Sequence, residues 1–187
     1  KIGSGDLTAF PIIKHISTKN KPIIISTGLS NADEIKETID FICNANPIYK
    51  DKGMICIMQC TSSYPTPDNE INLKVIEYLK SQYDYSIGYS NHSVNPVAID
   101  YAIVLGARTI EFHFTDTREG KTFRDHKVSL TKNDVIDLRN RIMFILDASG
   151  EKIKHPTKSE IASNNIHSFR RAAYPKYDIK QSQIVSI

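Results

Sequence analysis

Two histidines each close a short apolar run: His92 in Gly88-Tyr89-Ser90-Asn91-His92, and His113 in Glu111-Phe112-His113-Phe114. If these runs are adjacent parallel strands, both imidazoles reach the same rim and converge on one divalent cation. Two protein ligands leave coordination places for a substrate oxygen and water, which is what a Lewis acid needs to polarise a carbonyl. Glu111 and Asp125 stand near enough to orient those ligands or to move a proton, although His–carboxylate pairs also arise for structural reasons alone. Hydroxyls recur beside glycine or turn residues at further strand ends: Lys1-Ile2-Gly3-Ser4-Gly5-Asp6, Ser26-Thr27-Gly28, Cys60-Thr61-Ser62-Ser63-Tyr64-Pro65, and Ser90 before His92. Hydroxyls, a lysine and close backbone approach suit a phosphate. Ser, Thr and Gly also end strands and cap helices, but their recurrence at successive strand ends favours the phosphate site. Tyr64 faces the same rim from a turn whose direction Pro65 and Pro67 fix. His126 reads as a partner at the rim, whereas His15, His155 and His167 have no neighbour at ligand spacing and read as surface residues.

The elements that must position these groups alternate. Apolar runs of strand length at 22–26, 54–60, 85–90 and 109–114 follow a leading stub, each rich in Ile or aromatic residues. Between them lie helical patterns at 10–18, 31–45, 73–82 and 96–105, with a further one at 132–148. Asn31, Asn72 and Thr131 are the expected N-caps, and Gly106 and Gly150 the expected stops. This βα recurrence predicts an α/β fold with a parallel sheet. An open doubly wound sheet and a closed (β/α)8 TIM barrel both satisfy it; polar residues at the carboxyl ends of the strands favour the barrel, whose enzymes keep their chemistry at that rim. From Glu151 the pattern breaks into polar spacing and strand-like residues without helical period, so 1–150 reads as barrel and 151–187 as a linker entering something else.

Composition narrows the class. A net charge of +3, with 24 basic residues scattered among 21 acidic ones, gives no stripe for nucleic acid. No stretch reaches the roughly 20 apolar residues of a membrane span, so a soluble protein is expected. Cys43, Cys56 and Cys60 lack metal-ligand spacing and read as reduced, buried thiols in a cytoplasmic setting. The opening at Lys1, with no initiator Met or signal peptide, reads as a cut.

The ordered segments KIGSGDLT, KPIIISTGLS, CTSSYPTP, IGYSNHS, LGARTIEFHFT and RDHKVSL together resemble the sialic acid synthase family: bacterial N-acetylneuraminate synthases and their legionaminate, pseudaminate and spore-coat relatives. The resemblance covers nearly the whole chain. It implies the carboxyl-terminal half of a (β/α)8 barrel, a linker, and from 168–187 the beginning of a small antifreeze-like (SAF) domain. It further implies a domain-swapped homodimer that joins phosphoenolpyruvate to an N-acylated aminosugar. Carried over by position, Lys1, Ser4, Ser26 and Ser90 would hold phosphoenolpyruvate with Ser62 and Tyr64 nearby, and His92 and His113 would bind manganese or magnesium. Asp6, Glu111 and Asp125 match acidic positions around the sugar and the reacting carbons. The chain departs from the family pattern at Asn91, Gln59 and Phe112, and in the loop 117–123. Another metal-dependent barrel aldolase or 3-deoxy sugar-acid synthase, and an inactive fragment acting as a binding module, are the competing readings.

Overall fold

The computed structural model describes residues 1–184, so the last three positions of the expected appendage lie outside the described residues. The chain forms two compact units, Lys1–Ser149 and a second one beginning at Gly150.

Four strands, β1 (Ile23–Ser26), β2 (Ile55–Cys60), β3 (Ser86–Asn91) and β4 (Thr109–Phe112), make one sheet in chain order. Every pairing is parallel, as the βα recurrence predicts. The helices are α1 (Phe10–Ser17), α2 (Ala32–Ala45), α3 (Val75–Gln82), α4 (Val97–Val104), the short α5 (Asp125–Val128) and α6 (Lys132–Ser149).

Register explains how the sheet divides its faces. Ile25, Ile57 and Ile87 are aligned across β1, β2 and β3. All three lie in the apolar core with Ile35, Ile39 and Ile42 of α2, Ile76 and Leu79 of α3, and Ile99 and Ala102 of α4. Burying each of these isoleucines and the leucine contributes about 1.5–3 kcal/mol. Successive strand residues face opposite sides, so the aligned row Cys60, Ser90 and Glu111 lies on the other face. That row carries the polar groups.

Helix ends follow local chemistry. Asn31 caps α2 in a reciprocal box, its side chain accepting from the Glu34 N–H at 3.0 Å while Glu34 accepts from the Asn31 N–H at 2.8 Å. Gly106, at φ +103, ends α4 in a backbone conformation that favours glycine. Asn72 does not cap α3. It turns the chain at φ +52, and the helix starts at Val75; asparagine tolerates this left-handed conformation as readily as it caps.

The fourth strand is shorter than its apolar run. The chain returning toward α6 pairs with residues just past Phe112, the Leu130 N–H donating to the His113 carbonyl at 2.7 Å and the Thr115 N–H to the Leu130 carbonyl at 3.0 Å. In the second unit, the polar-spaced stretch after Glu151, expected as a linker, contains α7 (Lys158–Ala162) and α8 (Asn165–Ser168). A capping box between Thr157 and Glu160 starts α7. Among the described residues no helix is long and apolar enough to cross a membrane.

Candidate active site

The carboxyl ends of β2, β3 and β4 and the loops that leave them bring most of the expected site residues together. His92 follows β3 and His113 follows β4, and their ring centroids are 5.2 Å apart at 64°. The His92 Nδ1 lies 2.8 Å from the Thr61 carbonyl oxygen and 3.8 Å from the Cys60 Sγ. A carbonyl only accepts, so Nδ1 carries the hydrogen and the Nε2 lone pair of the neutral ring is left for a cation. On His113, Nδ1 is 3.6 Å from the Asp125 Oδ2.

The surroundings push the two rings in opposite directions. Burial lowers the His92 pKa, but its hydrogen bonds to Cys60 and Thr61 and the negative charge of Glu111 outweigh this and raise it. Burial also lowers His113, and the neighbouring His92 adds to the fall. Cys60 would be raised by burial, yet hydrogen bonds with His92 and Ser4 draw it below the ordinary thiol value.

Glu111 is the hub of the polar row. Its carboxylate accepts from the Lys1 Nζ at 2.8 Å and from the Ser90 Oγ at 2.9 Å. Burial raises its pKa, but the bonds from Lys1 and Ser90 and the positive charge of Lys1 more than reverse this, so Glu111 stays ionised. Lys1 is brought here because Ile2 adds a parallel bridge to Ile25 beside β1.

A second group forms a cradle. The Ser4 Oγ accepts the Gly28 N–H at 3.0 Å and lies 3.6 Å from the Cys60 Sγ. A Cβ on Gly28 would meet the Ser62 Oγ at 2.3 Å, the Ser4 Oγ at 2.8 Å and the Cys60 Sγ at 3.3 Å, so three side chains crowd the space that the missing methyl leaves. The buried Ser26 Oγ has no hydrogen-bond partner among the described residues, an orphaned donor at the end of β1 that suits an incoming oxyanion.

Tyr64 packs its ring 4.1 Å from His92 and 5.6 Å from His113. Burial raises its pKa. Arg124 lies over the same ring, its Cζ 4.8 Å from the centroid. Asp6 is not drawn in: it is exposed on a 3-10 turn (Ser4–Asp6), with no side-chain hydrogen bond or ion pair among the described residues.

Of the departures from the family pattern, two turn away from the imidazoles. Buried Gln59 donates to the Ile71 carbonyl at 3.0 Å, and buried Asn91 accepts from the Tyr89 hydroxyl at 2.9 Å and donates to the Ser93 carbonyl at 3.0 Å. His126 supports the rim indirectly, its Nδ1 lying 2.9 Å from the Thr115 Oγ1.

Cys60, the Thr61 carbonyl and Arg124 belong to this cluster although sequence reasoning gave them no role. Cys60 shares its strand face with Met58 by simple alternation, but only the register with Ser90 reveals that this face is polar at its end. Nothing in the spacing of Arg124 points to Tyr64.

The donor set fits a divalent cation. It offers two imidazoles, one held in the correct tautomer by a carbonyl and the other beside a carboxylate. Among the described residues no group of three or more His, Cys, Asp or Glu side chains is arranged to hold a metal, so the two imidazoles are the donors on offer.

Known proteins carry the same framework. The chain is 38% identical, over its whole length, to the N,N'-diacetyllegionaminic acid synthase of Campylobacter jejuni, covering 54% of that protein. It is 33% identical to the Homo sapiens N-acetylneuraminate-9-phosphate synthase over 88% of this chain and 44% of the human one. The chain thus spans about half the length of the curated relatives it matches. The crystal structure of an N-acetylneuraminic acid (sialic acid) synthetase from Leptospira borgpetersenii superposes with a TM-score of 0.78 at 27% identity, over 90% of this chain and 56% of that one. The NeuB family model matches residues 1–154, and with the half-barrel and its rim in place the chain belongs to that family.

Proposed function

We propose that this chain supplies the metal- and phosphate-binding part of an enzyme that condenses phosphoenolpyruvate with an N-acylated aminosugar, N-acetylmannosamine or a similar sugar, to give a nonulosonic acid and phosphate. The observation that carries the reading is the approach of His92 and His113 to 5.2 Å between ring centroids, beside the Ser4, Gly28 and Ser62 cradle.

In this reading His92 and His113 hold Mn2+ or Mg2+, which when bound supplies Lewis-acid polarisation of the sugar aldehyde. Ser4, Ser26, Ser62 and Ser90 hold the phosphate and carboxylate of phosphoenolpyruvate, and Tyr64 walls the cavity. Lys1 serves as a charge clamp and forms no Schiff base, because no covalent intermediate is needed. Carbon three of phosphoenolpyruvate bonds to the aldehyde carbon, and the aldehyde oxygen takes up a proton. Water adds to carbon two with loss of a proton, after which the C–O bond to phosphate breaks and a ketone remains. Glu111 and Asp125 are the carboxylates within reach of these proton transfers, and Asp6, exposed outside the cluster, takes part only if the sugar extends to its turn. The full-length protein acts as a domain-swapped homodimer in the cytoplasm, with 1–150 as barrel and 151–187 leading into an antifreeze-like domain that covers the partner's site.

In the full-length protein, His113→Ala should abolish metal-dependent phosphate release, with a loss of at least about 100-fold. Turnover that survived both this change and chelation would sink the metal role.

A further inference from the structure

Three buried polar side chains lie in one run along β3 and the turn after it: Tyr89, Asn91 and Ser93, each at most 2% exposed. By strand alternation Tyr89 and Asn91 leave the sheet on the core face, opposite Ser90 and Glu111. Burying an amide costs free energy unless its donor and acceptor are bonded. Here both are bonded, and to the backbone just past His92. The Asn91 Oδ1 accepts from the Ser93 N–H at 3.2 Å and from the Tyr89 hydroxyl at 2.9 Å, while its Nδ2 donates to the Ser93 carbonyl at 3.0 Å.

The effect falls on the residue between them. The peptide group joining His92 to Ser93 is held at both ends, its N–H by the Asn91 Oδ1 and its carbonyl by the Thr66 N–H at 2.9 Å. Thr66 also donates its hydroxyl to the Ser63 carbonyl at 2.8 Å, which ties the loop carrying the Thr61 carbonyl to the same segment. Further along, the Ser93 Oγ accepts the Asn95 N–H at 3.0 Å. A peptide plane fixed at both ends leaves the flanking torsions little freedom, so the direction of the His92 Cα–Cβ bond is set from behind the strand. In front of it the His92 Nδ1 meets the Thr61 carbonyl at 2.8 Å. That bond selects the tautomer, and a partner of this kind orients a metal-binding histidine. Losing the Asn91 amide would leave the Ser93 N–H and carbonyl and the Tyr89 hydroxyl without these partners in a buried setting, and the turn would have to move to satisfy them.

We propose that Asn91 is a positioning residue: acting through the Ser93 backbone, it holds His92 in the single tautomer and orientation that leave the Nε2 lone pair for a divalent cation. The role of the cation rests on the synthase reading; the tautomer does not.

The test uses the full-length protein, with Mn2+ as the metal probe and isotope-labelled histidines read by nitrogen NMR. In alkaline buffer, where imidazoles are neutral, wild-type His92 should be one tautomer, protonated at Nδ1. Asn91→Ala should turn it into a mixture. The same variant should weaken Mn2+ binding, read from the free-ion EPR signal, by about 10–100-fold, as loss of an outer partner of a metal-binding histidine does. Thr38→Val removes another buried hydrogen bond, from the Thr38 hydroxyl to the Leu7 carbonyl, and should lower stability while leaving both readings unchanged. Should N91A fail to fold, Asn91→Thr keeps a β-branched residue suited to a strand with a hydroxyl one bond too short to bridge Ser93, and the same two readings apply. A mixed tautomer in the wild type, an unchanged one in the Asn91 variant, an unchanged Mn2+ affinity beside a changed tautomer, or equal shifts in T38V would each overturn the proposal. A wild type that binds no Mn2+ yet loses its single tautomer in N91A would refute the synthase reading and leave the positioning role standing.

Discussion

Replacing Gly28 with alanine should damage phosphoenolpyruvate binding more than it damages the fold. The added Cβ would lie 2.3 Å from the Ser62 Oγ and 2.8 Å from the Ser4 Oγ, both well inside contact distance. Gly28 is absent from the positive-φ glycines, so alanine meets no backbone penalty there. Losing glycine's freedom in the unfolded chain even stabilises by about 0.4–1 kcal/mol. The clash is relieved by rotating two short side chains, at a cost of about 0.5–1.5 kcal/mol each, and turning Ser4 away also loses its bond from the Gly28 N–H, about 0.5–1.5 kcal/mol, so net stability should fall by about 0.5–4 kcal/mol. Function loses more. Rotation removes both hydroxyls from the cradle, and a hydrogen bond to a charged group contributes about 1.5–3 kcal/mol. Losing one such bond weakens binding about tenfold and losing both more than a hundredfold. Calorimetric titration of phosphoenolpyruvate into wild-type and G28A full-length protein, beside thermal unfolding of both, measures the two effects. An unchanged Kd would refute the cradle, and so would a Kd that worsened only in step with a large loss of stability.

Glu111→Gln keeps an acceptor for Ser90 but removes the charge that holds Lys1. In steady-state assays kcat should fall by about 100-fold or more with no rise in the KM for phosphoenolpyruvate, and an unchanged kcat would remove Glu111 from proton transfer. A pH effect on stability is expected at Asp134, whose pKa is lowered first by the Thr131 backbone N–H and then by the Thr131 hydroxyl; burial opposes this, and Arg118 adds to the fall. A depressed carboxylate stabilises the fold above its unfolded pKa and loses that contribution as pH falls through its folded value. Asp134→Asn should therefore cost roughly 0.5–1 kcal/mol at pH 7, limited by solvent screening, and nothing in strong acid; denaturant melts giving an equal difference at both pH values would refute this.

The sequence displayed the site wherever chemistry coincided with the end of a strand. Parallel strands bring their carboxyl ends to one rim, so the positions of Ser26, Ser90, His92 and His113 in the chain already implied a shared edge. Groups fixed by long-range geometry were hidden. Cys60 ends a run of Met, Ile and Cys that reads as core, and its contact with His92 depends on the register that sets Cys60 beside Ser90. Arg124 meets Tyr64 only because the chain turns into α5, a helix too short to leave a periodic signal. The pairing of Leu130 with residues 113 and 115 likewise joins segments that share no pattern. Two errors were avoidable in kind: Thr157 and Glu160 spell a capping box that starts α7, and Asn72 shows that one residue type serves both caps and left-handed turns.

The arrangement around Glu111 links the two halves of the proposed reaction. Lys1 and Ser90 both satisfy this carboxylate, and both are groups that an incoming oxyanion would claim. The Glu111 pKa lies below the ordinary value because Lys1, Ser90 and His92 together outweigh its burial. A bound phosphate or carboxylate that drew Lys1 toward itself would leave burial as the dominant influence, and the Glu111 pKa would rise. The carboxylate would then become the better proton acceptor once phosphoenolpyruvate is in place and remain a weak base before that. Ordering of this kind needs no moving lid. It requires only that the lysine shift from Glu111, whose two oxygens its Nζ contacts at 2.8 Å and 2.6 Å, toward the anion.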